Sequence, residues 1–288
     1  MKVLITGGSG RVGLAAIDAL LEAGHEVINA DRVRPTNPRG SDRAKAVRFV
    51  QIDLTDVGEI AGIAHGCDAV LHLGAIPNPY GHADEVVFAN NVLGTYAVLQ
   101  AAMLVGIRKV TLASSLSALG TAWAIEPWSP LFAPVTEEHP LLVKDAYGLS
   151  KEVDERTAEM FHRRTGMQVV CLRFHWVAYQ DEAKARAEAY AANPDPTNDI
   201  RHLWGYVDSR DAASLCVATL EADGLGFDVF QCTAADTYGH LPTEELIRKF
   251  APETELRASI EGFGTGYSTE KVGRVLGWQP KHSWRDPE

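Results

Sequence analysis

The sequence predicts an α/β fold: a doubly wound parallel sheet with helices on both faces and a small C-terminal lobe. Short apolar runs of strand length alternate with longer helical patterns through about residue 175. A glycine-rich turn joins the first strand to the first helix, and turn-forming residues become frequent beyond residue 175. Strands that alternate with helices form parallel sheets covered on both faces. We therefore expect a sheet domain over 1–175 and a lobe over 176–288, with about 205–234 returning to the sheet.

The first five predicted elements follow from their residue patterns. The apolar run at 2–6 is rich in Val, Leu and Ile, as expected of a strand buried on both faces. An amphipathic pattern then predicts a helix at about 11–23. Three more apolar runs predict the second, third and fourth strands at 26–31, 47–54 and 68–75.

The middle of the chain continues the alternation. A long stretch at 84–105 is helical in pattern and apolar on more than one face. Apolar runs predict strands at 109–115 and 168–174, and a helical pattern at about 145–165 lies between them. These elements extend the parallel sheet.

The predicted lobe begins where the pattern weakens. Residues 192–199 are polar and rich in turn formers, whereas 211–222 are helical in pattern. The run at 227–234 predicts one more strand, and the tail at 235–288 carries two short helical patterns.

Composition narrows the classes of partner and the location. The chain has 288 residues, of which 46% are hydrophobic, enough for a packed core. A formal net charge of -11 at pH 7 argues against nucleic acid and anionic membranes as partners. We find no run of about 18 apolar residues and no signal-peptide pattern, so we expect a cytoplasmic protein without a membrane partner.

Cysteine and histidine usage points away from disulfides and metals. None of the cysteines, Cys67, Cys171, Cys216 and Cys232, forms a C-x-x-C pair. Such usage is typical of buried, reduced thiols in a cytoplasmic protein. The ten histidines lack ligand spacing, so no metal site is predicted.

The turn "TGGSGRVG" at 6–13 carries the first functional signal. Gly8, Gly10 and Gly13 match G-x-G-x-x-G, and Gly7 with the last two also matches a looser G-x-x-G-x-x-G. Small residues let the backbone approach a pyrophosphate, and the helix N-terminus supplies free N–H groups. The strand–turn–helix context indicates a dinucleotide-binding Rossmann domain.

Two carboxylates at strand ends indicate which dinucleotide is bound. Asp31 ends the second strand, where a carboxylate accepts both hydroxyls of an adenosine ribose and repels a 2′-phosphate. This favours NAD, although Arg32 and Arg34 follow directly and could offset the repulsion, so NADP stays open. Asp53 ends the third strand at the same edge, either to reach the adenine amino group or to cap a helix.

The stretch "AYGLSK" suggests a proton-handling pair. Tyr147 and Lys151 are four residues apart at the start of a predicted helix, so they share one face. A free tyrosine, with a pKa of about 10, is a poor base at neutral pH. A neighbouring ammonium favours the phenolate, which can then take a proton from an alcohol.

Seven strings in this order resemble the extended short-chain dehydrogenases/reductases of the NAD-dependent epimerase/dehydratase family. They are "TGGSGRVG", "QIDLTD", "LHLGA", "NNVLGT", "ASSLSALG", "YGLSK" and "CLRF", spread over about 1–175. The tail "LGWQPKHSW" also resembles the usual ending of that family. The resemblance implies an NAD(P)-dependent enzyme, and relatives commonly dimerise through helices matching 84–105 and 145–165.

The resemblance assigns roles to single residues. Tyr147 matches the catalytic acid/base, and Lys151 the residue that acidifies it and holds the nicotinamide ribose. Ser115 matches the hydroxyl that bonds the reacting oxygen, with Ser117 able to serve the same oxygen, and Asn91 matches the residue that orders a relay water or backbone near the lysine. The predicted cofactor contacts are Gly7, Gly10, Arg11, Val12, Gly13, Asp31, Arg32, Asp53, Leu54, Leu73, Gly74, Ala75, Asn91, Tyr147, Lys151 and Phe174.

The sequence departs from the family pattern where nucleotide-sugars are bound. Members acting on them typically read R-x-x-N after the sixth strand, but this chain reads "RFHW", with Trp176 in place of the asparagine. The usual G-D-G-x-x-x-R-D stretch is replaced by "IRHLWGYVDSRD", which leaves Arg201 and Arg210 as anion contacts. "SSLSALG" also lacks the Asp-Glu pair of the 4,6-dehydratases.

The same region resembles dehydrogenases of free sugars and uronic acids. Trp176, Trp204 and Trp123 form either a stacking wall for a sugar ring or ordinary core. His175 is either a substrate contact or a hydrogen-bonded strand-end residue. The predicted substrate contacts are Ser117, His175, Trp176 and Arg201.

These observations lead to two functional hypotheses. The leading one is an oxidoreductase that moves a hydride between nicotinamide and a hydroxyl or carbonyl carbon of a small carbohydrate or sugar acid. The alternative is an epimerase of sugars or nucleotide-sugars that retains its NAD. A non-enzymatic dinucleotide sensor is disfavoured, because such proteins usually lose the tyrosine or the lysine. We also expect a homodimer.

Overall fold

The computed structural model describes residues 1–36 and 38–287, and its centre is a seven-stranded parallel sheet. The strands are β1 Lys2–Thr6, β2 Glu26–Asp31, β3 Arg48–Gln51, β4 Ala69–His72, β5 Lys109–Ser115, β6 Phe132–Ala133, β7 Gln168–Phe174, β8 Val177–Ala178, β9 Val207–Asp208, β10 Phe227–Cys232 and β11 Glu255–Leu256. The helices are α1 Arg11–Glu22, α2 Asp42–Ala46, α3 Val57–Ala64, α4 Asp84–Leu104, α5 Ala146–Thr165, α6 Gln180–Ala192, α7 Pro196–Asp199, α8 Ser209–Glu221, α9 Thr243–Phe250 and α10 Glu270–Leu276.

The strand order of the main sheet has a switch point beside β1. The order is β10-β7-β5-β4-β1-β2-β3, so β2 and β3 lie on one side of β1, and the later strands, from β4 on, lie on the other side. Val3 pairs with Val27 of β2 on one side and with Ala69 of β4 on the other. Ligands of doubly wound sheets bind at such a switch point, outside the carboxyl ends of the strands.

Two apolar cores lie on the two faces of the sheet. On one face Val3 and Ile5 pack with Leu14 and Ile17 of α1, and α8 completes this layer. On the other face Leu4 packs among residues of α3, α4 and α5. The alternation of the two faces along β1 explains why the run at 2–6 is apolar throughout.

The lobe has a core of its own. Trp204, Tyr206 and Tyr238 are almost fully buried there. A small parallel sheet of β6 with β11 ties the lobe to the segment that precedes it, and a second one, β8 with β9, lies within the lobe. Strand β10 lies beside β7, so 227–232 belongs to the main sheet, while the division into two domains stays a prediction.

The predicted elements are confirmed in type, with shorter strands at 48–51 and 69–72 than expected. The turn-rich 192–199 contains the short α7, and the sequence analysis missed α2, α3 and α6. Alanine, Glu, Lys and Arg are strong helix formers and dominate 180–192, so the signal for α6 was propensity rather than an apolar stripe.

Helix α4 meets the length and hydropathy of a membrane span, which the search for apolar runs did not detect. Half of that window is buried in the fold, against α3 and α5, and core helices of soluble proteins pass the same test. The four cysteines are free and buried. Among the described residues no three His, Cys, Asp or Glu side chains group to hold a metal ion, and the lack of a metal site stays a prediction.

Candidate active site

A cavity of about 1340 Å³ opens at the carboxyl edge of the main sheet and extends toward the lobe. It brings together most of the predicted site residues, which come from separate strand ends and from α1 and α5. Those that line it are Gly7, Gly10, Arg11, Val12, Gly13, Asp31, Arg32, Asp53, Leu54, Leu73, Gly74, Ala75, Ser115, Ser117, Tyr147, Lys151, Phe174, His175 and Trp176.

The glycine turn is shaped for close approach of a ligand. Gly7 has φ +75°, and a Cβ there would lie 2.5 Å from the backbone nitrogen of Gly74. A Cβ on Gly13 would lie 2.4 Å from the carbonyl oxygen of Gly7. Gly10 begins α1 without any side-chain cap, so the N–H groups of the first turn are free to bind phosphate. The residues present therefore fit a dinucleotide.

The ribose end of the cavity carries a fixed carboxylate. Asp31 accepts a hydrogen bond from the backbone nitrogen of Ser9 at 3.0 Å, which holds its side chain at the turn. Arg32 lines the cavity beside it, whereas the Arg34 guanidinium stacks 4.8 Å from the ring centroid of Phe49 and does not line the cavity. Only one of the two arginines expected to offset the carboxylate is therefore in place.

Asp53 is on the cavity wall but is not a helix cap. Its carboxylate accepts bonds from the backbone nitrogen and the hydroxyl of Thr55, at 2.9 and 2.8 Å, and these bonds lower its pKa. Asp56 caps α3 instead, by accepting from the nitrogen of Glu59. The structure thus rejects the capping interpretation of Asp53.

The tyrosine and lysine are positioned by the start of α5. Asp145 caps this helix by accepting from the nitrogen of Gly148 at 2.7 Å, so Tyr147 lies in its first turn. Lys151 follows one turn later on the same face. Its Nζ lies 5.9 Å from the ring centroid of Tyr147, and both side chains are buried at the cavity wall.

Lys151 is held by two further contacts. Its Nζ donates to the carbonyl oxygen of Ala113 at 3.0 Å and to Oδ2 of Asp154 at 3.1 Å. Burial is the largest influence and lowers the pKa of Lys151, but the charge of Asp154, its hydrogen bond to Nζ and the proximity of Tyr147 and Cys171 together outweigh it, so the pKa is raised and the ammonium persists. The sequence analysis missed Asp154, although its i+3 spacing from Lys151 was a usable signal.

The serine hydroxyls are already partly engaged. Ser115 ends β5, in register with Phe174 of β7, and its Oγ accepts from the nitrogen of Ser117 at 3.0 Å. Ser117 Oγ accepts from the indole nitrogen of Trp123 at 3.1 Å. Each hydroxyl keeps its own proton to donate, so both can bond an oxygen in the cavity.

Asn91 acts from behind the cavity wall. Its Oδ1 accepts from the nitrogen of Ile76 at 2.8 Å, and its Nδ2 donates to the carbonyl of Ile76 and to Oγ of Ser150, each at 3.1 Å. It does not line the cavity, so the structure gives no direct cofactor contact for it. It instead positions the loop after β4 against α5.

His175 is a hydrogen-bonded wall residue. Its Nδ1 accepts from the nitrogen of Trp176 at 2.6 Å, which leaves the proton on Nε2, facing the carbonyl of His202 at 3.2 Å. Burial lowers its pKa to about 3, so the ring stays neutral. Both of its hydrogen-bonding atoms are occupied inside the protein.

One expected substrate contact, Arg201, does not reach the cavity, and Trp204 takes the core alternative. Trp204 is fully buried in the lobe and does not line the cavity. Arg201 donates to the carbonyl of Ala124 and does not line the cavity either. Trp176, which is 40% exposed, and Trp123 remain at the cavity.

The lobe supplies wall residues that the sequence analysis did not identify. Arg186 comes from α6, His202 from a short 3-10 helix at Ile200–His202, and Tyr238 and Tyr267 from irregular segments. No spacing rule marks residues that meet only through the packing of the lobe. Arg210, the other expected anion contact, is paired with Asp208 at 2.8 Å and does not line the cavity.

Comparison with known proteins places this geometry in a family. The sequence profile of the NAD dependent epimerase/dehydratase family matches residues 3–232. The chain belongs to that family. This epimerase/dehydratase member is therefore an NAD-dependent enzyme of the extended short-chain dehydrogenase/reductase type.

Individual relatives span nearly the whole chain. A UDP-glucose 4-epimerase of Corynebacterium glutamicum is 26% identical over 319 residues, covering 98% of this chain and 92% of that protein. A solved short-chain dehydrogenase/reductase superfamily protein from Agrobacterium tumefaciens with bound NAD aligns with TM-score 0.72 and 23% identity, covering 99% and 94% of the two chains. A uronate dehydrogenase from Agrobacterium tumefaciens aligns with TM-score 0.66 and 24% identity, covering 98% and 85%. The solved structures establish a shared fold.

Proposed function

We propose that this family member is a dehydrogenase that oxidises a hydroxyl of a small carbohydrate or sugar acid, or reduces the corresponding carbonyl. The observation that carries the proposal is that Ser115, Tyr147 and Lys151 line one cavity with the glycine turn and Asp31. Bound NAD supplies the nicotinamide carbon that accepts or returns the hydride.

The chain's own residues handle the proton. The Tyr147 phenol takes the proton of the substrate hydroxyl, or donates one to a carbonyl in the reverse direction. Ser115 donates a hydrogen bond to the same oxygen, and the Lys151 ammonium favours the phenolate. Asn91 holds the loop after β4, so that the wall opposite Tyr147 stays in place.

A small substrate is favoured over a nucleotide-sugar by the residues after β7. Trp176 stands where nucleotide-sugar members carry asparagine, and it is exposed to the cavity. Arg201 and Arg210 are engaged elsewhere, so neither is available for a diphosphate.

Incubation with NAD and a panel of free sugars and sugar acids tests the proposal. We expect the absorbance band of the reduced cofactor to rise with at least one compound. No rise across the panel, with NADP also tried and with bound NAD demonstrated by titration, would overturn a dehydrogenase function.

The second candidate is an epimerase that retains NAD, favoured by the full-length similarity to a UDP-glucose 4-epimerase. Two ion pairs, Arg11 with Glu182 and Arg39 with Asp181, link the cofactor domain to the start of α6 and would slow release of a dinucleotide. Protein that purifies with stoichiometric NAD and interconverts epimers without net reduction would support this candidate over the first.

We also propose a cytoplasmic homodimer. Tyr96 and Leu104 of α4 and Leu149 of α5 are apolar yet exposed, and none of them lines the cavity, which suits a contact between copies through these helices. Sedimentation should show a dimer at micromolar concentration, and Leu104→Glu should shift it to monomer. A wild-type protein that sediments only as a monomer would refute the dimer.

A further inference from the structure

The lobe side of the cavity contains an arginine whose charge is already balanced. Arg186 lines the cavity from α6, and its Nη2 lies 2.6 Å from Oδ1 of Asp199. Its guanidinium also lies 5.4 Å from the ring centroid of Tyr238. The arginine is therefore fixed by a carboxylate on one side and an aromatic ring on another.

The balancing carboxylate cannot turn away to free the arginine. Asp199 is 2% exposed, and its Oδ1 also accepts a hydrogen bond from the Tyr238 hydroxyl at 2.6 Å. A buried carboxylate that lost Arg186 would keep its desolvation cost without a counter-charge. The ion pair is a permanent part of this wall.

In the described part of the chain, the lobe side of the cavity offers no second positive charge that could bind an anionic substrate. Among the described residues from 175 onward that line the cavity, Arg186 carries the only formal charge. His175 and His202 are neutral because burial lowers their pKa values to about 3 and about 4. On the opposite wall Glu85, from the first turn of α4, adds a negative charge.

We infer that the substrate is an uncharged carbohydrate, such as a free aldose or polyol, rather than a uronate or a nucleotide-sugar; this inference rests on the proposed dehydrogenase function. The Arg186 side chain is 45% exposed, and an anionic group beside it would meet a guanidinium whose field the buried Asp199 largely cancels, so it would gain little attraction. An uncharged sugar does not depend on a free positive charge for binding. The hydroxyl of Ser117 and the exposed ring of Trp176, which line the same cavity, can contact it.

Matched pairs of compounds test the inference. The wild-type enzyme is assayed with NAD on D-glucose against D-glucuronate and D-galactose against D-galacturonate, with UDP-glucose as a competitor. We expect kcat/KM for the neutral sugar to exceed that for its uronate by about tenfold or more, and no competition by UDP-glucose. A preference for the uronate, or tight competition by UDP-glucose, overturns the inference and leaves the dehydrogenase function standing. If NAD is reduced with neither the neutral sugars nor the uronates, the result counts against the dehydrogenase function itself.

A variant that removes the charge of Asp199 tests the inference independently. Asp199→Asn leaves Arg186 without its counter-charge, so the ratio of kcat/KM between neutral sugar and uronate should fall by about tenfold. The matched control is Asp195→Asn, because Asp195 caps the same short helix α7, is exposed and does not line the cavity. A folded Asp199→Asn enzyme with an unchanged ratio overturns the inference. If that variant does not fold, the wild-type ratios decide alone.

Discussion

Lys151 and Asp154 form an ion pair inside the protein, with 3.1 Å between Nζ and Oδ2 and each side chain only 3% exposed. Asp154 therefore offsets part of the positive charge that Lys151 presents to the Tyr147 phenol. Burial raises the pKa of Asp154, against the opposing pull of Lys151, so the pair is electrostatically coupled. The other titratable groups that interact with this pair are Tyr147 and Glu155 on α5, His72 on β4 and Cys171 on β7.

Asp154→Asn should move the pH dependence of catalysis toward acid. Asp154 helps to hold the pKa of Lys151 up. Without that negative charge, the Lys151 ammonium deprotonates at lower pH, so the basic limb of the kcat/KM profile shifts to lower pH. We expect a shift of about one unit, measured as initial rates across pH. Glu152→Gln, in the same turn of α5, is the control and should leave the profile in place. A destabilised variant with an unshifted profile would show that Asp154 has a structural role alone.

Gly10→Ala should weaken cofactor binding without harming the fold. A Cβ on Gly10 lies 3.4 Å from the Gly7 carbonyl oxygen, an ordinary contact, but its methyl enters the wall of the cavity where the pyrophosphate approaches. We expect the Kd for NAD to rise about tenfold or more by calorimetry. Gly13→Ala should instead destabilise the protein by about 1–3 kcal/mol, because its Cβ overlaps Gly7. Gly62→Ala, with open space around it in α3, is the control and should leave the affinity unchanged.

Asp31→Asn should reduce the preference for NAD over NADP. An asparagine oxygen can keep the bond from the Ser9 nitrogen, so the change removes the charge and little else. We expect the ratio of the Kd values for NADP and NAD to fall by about tenfold, because the carboxylate bonds the ribose and repels a 2′-phosphate. Arg34→Gln is the control, since that side chain packs on Phe49. An unchanged ratio in Asp31→Asn would place the ribose elsewhere.

Acid should destabilise the protein through buried histidines. Burial lowers the folded-state pKa of His72 and His175 to about 3 and of His202 to about 4, from an ordinary value of 6.5. Between the folded and unfolded values the unfolded chain binds protons that the folded chain does not, so stability falls as pH drops below 6.5. Each of these three histidines should lower the free energy of unfolding by about 1.6 kcal/mol between pH 6.5 and pH 5, measured by urea titration. Burial also lowers the pKa of His139, which adds to the same slope. His72→Asn should therefore reduce the pH slope by about a quarter to a third, whereas replacement of the exposed His65 should not. A slope that His72→Asn leaves unchanged would contradict the assignment.

The elements that hold the cofactor could be predicted because their signals are local. The apolar run of β1, the glycines and the α1 pattern are adjacent in the chain, and the carboxyl ends of parallel strands meet by topology. Ser115 could be placed near Phe174 for the same reason, since both end neighbouring strands.

The lobe could not be predicted to the same depth, because its wall is made by packing between distant segments. Trp204 and Trp176 look alike in the sequence, yet Trp204 is fully buried in the lobe core and Trp176 is 40% exposed. Arg186 lies on a helix without an apolar stripe, and its partner Asp199 comes from a separate short helix.

The proton-handling role of the Tyr147 phenol is tested most directly by Tyr147→Phe. The variant removes one oxygen and keeps the ring, so cofactor binding should survive while acid–base catalysis is lost. NAD affinity is measured by calorimetry, and turnover with the most active carbohydrate of the panel is measured alongside. We expect a Kd within about threefold of wild type and a fall in kcat of about 10²–10⁴-fold. A variant that binds NAD and turns over at the full wild-type rate would show that the Tyr147 phenol is not the acid/base.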